Sequence, residues 1–310
     1  MAEGNNIYNP AAAVLSYATE SVFNETPSAG SQTIPFGLLS EEVKLPDPEV
    51  EMHVHRTPGG GANPAIIQPG ARTLSGSLPI TLQNALPLEY LLGEESGGTI
   101  SCVNGNQPSM CVEALWVDSN GDEFLRYFTG TVVTGGTIAA EEEGFLKATL
   151  DIESAYAINS SNSASTVTQY TNDPFVFCEG VATYFGSAYA RVLDFSINIK
   201  RAFKSRRYIQ ATHACWPYEI NFGPRDIEMS TTIVASDDLA GGGTAYYDEL
   251  LSPSSGGSNM TLEFTSSSGT IDIFVTGAMI KTAPHVINIE AEDAPVSVDL
   301  VAKNITVVYT

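Results

Sequence analysis

His53 and His55 alternate in the run Glu49 to His55, EVEMHVH, and a strand would aim both rings at one face, the simplest beginning of a metal site. A stable site needs further ligands, and none stands nearby. His213 and His285 are isolated, and the four cysteines, Cys102, Cys111, Cys178 and Cys215, show no CxxC pairing. A surface or interface role therefore outweighs metal chemistry for the two histidines. Asp118, Asn120 and Asp122 have the alternation of a calcium loop, but the glycine and the distal glutamate at the required offsets are missing. Asn120-Gly121 reads instead as the positive-φ turn of a tight hairpin within Cys111 to Phe128. Glu141, Glu142 and Glu143 offer carboxylates for acid–base work, yet three neighbours in one turn are solvated alike, and nothing builds the pocket that would separate their pKa values. No Gly-x-Ser-x-Gly elbow, phosphate loop or dinucleotide fingerprint occurs, and the glycines at 59–61 and 241–243 lack a following Lys-Ser/Thr. No catalytic residue, metal or cofactor is expected, and an enzyme is disfavoured.

The most uneven charge feature is basic. Lys200, Arg201, Lys204, Arg206 and Arg207 gather five of the chain's 14 Lys and Arg residues. Alone, such a run could bind nucleic acid. Against 36 Asp and Glu and a net charge of -22, the surface as a whole repels phosphate and anionic membrane. The run is better read as meeting an acidic patch on another copy, either the Glu141 to Glu143 turn or Glu290, Glu292 and Asp293. A head-to-tail contact of that kind repeats without closing, which is how filaments grow.

The elements that must position these residues are strands. Thr, Ser, Val, Ile and Gly abound, no long helical pattern appears, and 310 residues suffice for two domains with their own cores. The stretch Thr129 to Glu153, TGTVVTGGTIAAEEEGFLKATLDIE, is echoed by Thr276 to Val301, TGAMIKTAPHVINIEAEDAPVSVDLV, with 21 residues from Gly130 to Asp151 and 22 from Gly277 to Asp299. Upstream of each copy a strand-like run precedes a short helical signal, Leu88, Leu91 and Leu92 in the first and Tyr246 to Leu251 in the second. Two tandem β domains follow: an extended arm over 1–30, a first domain over 31–158, a Ser/Asn-rich linker over 159–172 and a second domain over 173–310. The arm shows little strand signal and is expected to lie on a neighbour. The Gly/Pro-rich stretch Arg56 to Ala71 reads as a long contact loop. Cys102 and Cys111 could face each other across the intervening turn, though reduced thiols suit a chain made in cytoplasm. No run is long and apolar enough to span a membrane, and the N-terminus lacks the pattern of a signal peptide.

Several stretches, taken in order, resemble tail tube (major tail) proteins of tailed viruses of bacteria and archaea. They are Ile7-Tyr8-Asn9-Pro10, ATESVFNETPSAG, the long LPDPEVEMHVHRTPGGGANPAIIQPGARTLSGSLPITLQNALPLEYLLG and the closing PHVINIEAEDAPVSVDLVAKNITV. The resemblance implies an all-β fold of two packed antiparallel sheets, barrel or sandwich, with a short flanking helix in each domain. It implies stacked rings around a channel: six domains to a ring, hence a trimer of pseudo-sixfold symmetry for a two-domain chain. The implied partners are further copies of the chain, other tail proteins at the tube ends, and viral double-stranded DNA that passes without specific binding. The implied location is the virion tail, assembled in the host cytoplasm. Contacts between subunits or rings are expected at Ile7, Tyr8, Asn9, Pro10, Arg56, Pro58, Asn63, the three glutamates and the five basic residues. A β-rich decoration or carbohydrate-binding attachment protein is the alternative; it would cluster exposed Trp and Tyr, whereas Trp116 and Trp216 sit in apolar or Pro-bounded settings.

Overall fold

The structure is a computed structural model that describes residues 13–56, 64, 66–103, 105, 107–118, 122–160, 163–185, 187–189, 192–209, 215–234, 249–253, 255–267, 269–284 and 295–310. It is almost entirely β. The first half runs β1 (Val14–Thr19), β2 (Ile34–Pro35), β3 (Leu38–Leu39), β4 (Glu49–His55), β5 (Ile66–Thr73) and β6 (Ser75–Thr81). The helix α1 (Pro87–Leu92) follows, then β7 (Gly93–Ser96), β8 (Thr99–Cys102), β9 (Met110–Val117), β10 (Glu123–Glu141), β11 (Lys147–Glu153) and β12 (Tyr156–Ser160). The second half runs β13 (Gly180–Tyr184), β14 (Ser187–Tyr189), β15 (Val192–Arg206), β16 (Glu219–Val234), β17 (Ser258–Ser266), β18 (Gly269–Thr282), β19 (Pro295–Ala302) and β20 (Asn304–Tyr309).

Two strands are long enough to serve in two layers each. The first part of β10 pairs with β9 and β12, and its last part pairs with β11 and β15. Likewise β18 pairs first with β17 and β20 and then with β19. A shared antiparallel sheet results, in the order β3-β6-β11-β10-β15-β16-β19-β18, which stays open within one chain. Over its first half lies the layer β2-β1-β9-β10-β12, and over its second half the layer β14-β13-β17-β18-β20-β8-β7. The hairpin β4-β5 forms a small separate sheet.

Period-2 alternation fills the space between layers. Leu78, Ile80, Ile138, Leu150 and Ile197 point from the shared sheet into one core with Tyr17, Val112, Phe128, Leu262 and Ile273 from the covering layers. Phe195 of β15 meets Phe264 of β17 with ring centroids 5.7 Å apart, and Tyr184 on β13 shares a 3.1 Å hydrogen bond with Thr231 on β16. The helix expected at Leu88, Leu91 and Leu92 forms with Pro87 in its first turn and Gly93 beyond its end, and it buries all three leucines. Residues 249–251 are helical, where the second short helix was expected.

The register repeats between halves. Val132, Val133 and Gly135 oppose Glu153, Ile152 and Asp151; Met279, Ile280 and Thr282 oppose Val301, Leu300 and Asp299, with the same one-residue bulge. The long hairpins match as well: Val50, Met52, Val54 and His55 oppose Arg72, Pro69, Ile67 and Ile66, while Arg201, Phe203, Ser205 and Arg206 oppose Arg225, Phe222, Ile220 and Glu219. Tyr17 opposite Val112 has its counterpart in Tyr184 opposite Met260.

This last pair corrects the expectation for the N-terminus. Val14–Thr19, placed in an extended arm, is an interior strand between β2 and β9 with Tyr17 fully buried against Phe36 and Tyr90. Alternating Leu, Tyr and Ser in a six-residue run is too short a signal beside its polar neighbours, and its apolar partners come from distant sequence. Residues 163–169, read as linker, lie against the covering layer: Ser165 donates its N–H and hydroxyl to the buried Glu113 carboxylate at 2.9 and 2.7 Å. All four cysteines are free.

Gly130 and Gly277 mark the bend where β10 and β18 change layers, at φ of 58° and 64°. A Cβ at Gly130 would lie 2.7 Å from the Ala155 Cβ and 3.1 Å from Phe23, whereas the nearest atoms to one at Gly277 belong to the Lys303 side chain, most of which can swing away. We expect Gly130→Ala to cost about 2–4 kcal/mol, backbone strain plus overpacking, and Gly277→Ala only about 1–2 kcal/mol. Denaturant titration of the two variants checks the order.

Candidate functional site

A carboxylate pocket is not what the strands build. The face of the shared sheet turned away from the core carries short polar side chains: Thr137, Thr149, Ser196, Asn198 and Ser230. Charges of both signs stand among them, with Asp151, Asp226, Glu228 and Asp299 exposed beside Lys200 and Lys281. Lys200 Nζ lies 4.0 Å from Glu228, and Asp299 accepts a 2.9 Å hydrogen bond from Thr282. Asp151 reaches solvent, yet the strands around its base desolvate it in part and raise its carboxyl above the usual range.

The acidic turn and the basic run occupy opposite ends of this sheet. Glu141 ends β10 opposite Asp194, while the other end of β15 carries Lys200 onward into the hairpin. All three glutamates are exposed; the Glu142 N–H donates to the Leu193 carbonyl at 2.9 Å, and Glu143 holds a positive φ of 61°. The five basic residues do not form one patch. Arg201 is buried, donates from Nε to the Gly223 carbonyl at 3.3 Å, and stacks 4.7 Å over Phe222, so it is withdrawn from any surface contact. Arg206 stands 3.9 Å from Glu219, and Arg207 donates to the Arg72 carbonyl. Lys200, Lys204 and Arg206 remain exposed.

Two long hairpins extend past the shared sheet. The end of β15-β16 seats on the first half of the chain. There Ser205 donates to Glu153 at 3.0 Å, the Arg72 N–H donates to the Cys215 carbonyl, and Trp216 meets Tyr156 and the Arg72 guanidinium at 4.4 and 4.7 Å. These junction residues escaped the sequence reading, since only the paired bulges betray the hairpins' equivalence. The β4-β5 hairpin keeps Val50, Met52, Val54, Ile66 and Ile67 exposed. Arg56 flanks its tip, while Pro58, Asn63 and Ile7, Tyr8, Asn9 and Pro10 lie outside the described residues.

His53 and His55 are exposed on β4, with Glu51 4.0 Å from His53, and among the described residues no group of His, Cys, Asp and Glu could hold a metal. Asp118 accepts the Asp122 N–H at 2.8 Å, as a hairpin requires; Asn120-Gly121, His213, His285 and the Glu290 to Asp293 patch lie outside the described residues. Trp116 is engaged by Phe124 and Arg126, as Trp216 is by Tyr156 and Arg72, so the tryptophans build no shared platform. No described helix is long and apolar enough to cross a membrane.

Comparison with known families places residues 10–302, nearly the whole chain, within the family described as phage tail tube protein. No curated protein matches the chain.

Glu153 tests the hairpin seat. Its carboxyl is pushed up by burial, only partly offset by the Ser205 hydrogen bond and the nearby Arg207 charge. A folded pKa above the unfolded one means the ionised group destabilises the fold at neutral pH. That penalty fades as pH falls through the raised folded value toward the unfolded one. Glu153→Gln, which keeps an acceptor for Ser205, should raise the neutral-pH melting temperature, and the gain should vanish near pH 4. Thermal melts from pH 7.5 to 4 measure it.

Proposed function

Because the chain belongs to the phage tail tube protein family, we propose that three copies close into a ring and that such rings stack into the conduit for viral DNA during ejection. Proteins of this family are structural components of the virion tail, and the protein is read as non-catalytic. The two halves serve as two tail-tube-like domains, divided at the 159–172 linker, each filling one of six places around the ring.

The observation that carries this reading is the shared sheet. Four of its strands come from each half, one face is sealed on the core, and the other is polar and uncovered. Three copies would join about 24 strands; at about 4.8 Å spacing and roughly 45° tilt, the backbone cylinder is about 50 Å across. Side chains narrow it to roughly 35–40 Å, wider than a duplex of about 20 Å. Short hydroxyls and amides with a surplus of carboxylates offer phosphates nothing to hold, so DNA would slide. Ring closure would also give the open ends of the sheet partners, removing edges that invite aggregation.

Stacking is assigned to the two ends of the sheet. The Glu141 to Glu143 turn of one ring faces the Lys200 and Lys204 end of the next, with Arg206 and Arg207 holding the hairpin in shape. The N-terminal residues Ile7 to Pro10 and the loop with Arg56, Pro58 and Asn63 reach neighbouring copies, and other tail proteins cap the tube after assembly in the host cytoplasm.

Negative-stain electron microscopy of the concentrated protein decides the reading. Hollow rings or tubes with threefold class averages are expected, whereas rings of six whole chains, or solid fibres without a channel, would overturn it. Glu142→Lys with Glu143→Lys should leave single rings intact and shorten or abolish tubes at low salt. Undiminished tubes from that variant would remove the assigned stacking contact.

A further inference from the structure

Equivalent positions in the two hairpins live in different surroundings. Ile220 is 7% exposed, while Ile67, which holds the same register place, is 61% exposed. Ile220 lines a cleft together with Val132, a residue of the first half, on the side where β15-β16 seats on that half. Likewise Ser205 is engaged by Glu153, whereas Val54 at its equivalent place is 49% exposed. The equivalents of the seat itself lie on the second half: Met279 for Val132, and Val301, 41% exposed, for Glu153. Where the internal junction pairs a hydroxyl with a carboxylate, the vacant hairpin and the vacant seat both present valine. Arg56 also follows His55 as Arg207, which binds the Arg72 carbonyl, follows Arg206.

We infer that the β4-β5 hairpin of one copy seats on the second half of the next copy, setting Val54 against Val301 and Ile67 beside Met279. The seat rests on the ring reading above, and it names the partner as a second copy of this chain. It repeats between copies the geometry by which β15-β16 seats within one copy, with an apolar pair in place of the polar one. Exposed apolar side chains on a two-stranded sheet are unstable in water, and a complementary apolar seat at the symmetry-related position is the occupant their pattern fits.

The test is Val54→Cys with Val301→Cys in a Cys178→Ser, Cys215→Ser background, treated with a short bis-maleimide and resolved by denaturing electrophoresis. Covalent dimers and trimers, with no growth past three, are expected from the double variant but not from either single variant. Rings seen by microscopy without these crosslinks would overturn the seat and leave the ring standing, and a chain that neither crosslinks nor forms rings would overturn both. A second arm uses Val54→Asp with Ile67→Asp. Both side chains are exposed in the single chain, so its melting temperature should hold, while the concentration needed for assembly rises at least about tenfold. Unchanged assembly of that variant would also sink the inference.

Discussion

The seam between β10 and β15 is the interaction on which the rest depends. From Gly135 opposite Lys200 to Glu141 opposite Asp194, seven pairs turn what would be two sheet edges into one continuous sheet. Backbone groups at a sheet edge must find partners, and here a strand from each half satisfies the other. The seam needs backbones close together, and Gly135 provides that, since a Cβ there would press on the Ile199 carbonyl oxygen of β15; Gly136 does the same on the other side of β10, where a Cβ would strike the Thr149 carbonyl oxygen of β11. With the seam in place, the covering layers find a common core, and the uncovered face becomes one surface instead of two. The same strand also ties the layers together, because β10 enters the seam only after bending at Gly130.

Charge follows from this arrangement more than from any binding site. The chain has 36 acidic and 14 basic residues, and among the described residues no group of carboxylates gathers as a metal ion would need. The basic residues near the seam are used structurally, Arg201 against Phe222 and Arg207 on the Arg72 carbonyl, which leaves the acidic excess spread over solvent-facing positions. For the conduit proposed above, a diffuse negative field would let a polyanion pass without adhering at any one point.

The all-β class, the flanking helix and the echo of Thr129 to Glu153 in Thr276 to Val301 were legible in the sequence. Turn glycines, a bulge and a strand Asp are local features, and local physics writes them into local residues. What hid was non-local. Val14–Thr19 forms a strand because Met110–Val117 and Ile34–Pro35 flank it, and neither neighbour is visible from its own six residues. The basic run looked like one patch, but strand alternation sends Arg201 inward while Lys200 and Lys204 face out. The kinship of the two hairpins was hidden as well. Val54 and Ser205, or Ile66 and Glu219, differ in polarity at equal register, so only pairing and bulges reveal the repeat.

That loss of likeness is itself informative. Two copies of one unit under the same demands would keep similar residues, and the seat inferred above would give the two hairpins different demands. The internal seat forms as the chain folds, at the high local concentration of a tether, and can rely on polar pairs that set register at little gain in energy. A seat formed between separate chains must also overcome the entropy of association, and apolar burial is the term able to do so. The cost is a sticky strand before assembly. Sequence alternation in EVEMHVH answers it by setting Glu49, Glu51, His53 and His55 between Val50, Met52 and Val54, which keeps the opposite face hydrated and discourages pairing with the wrong edge.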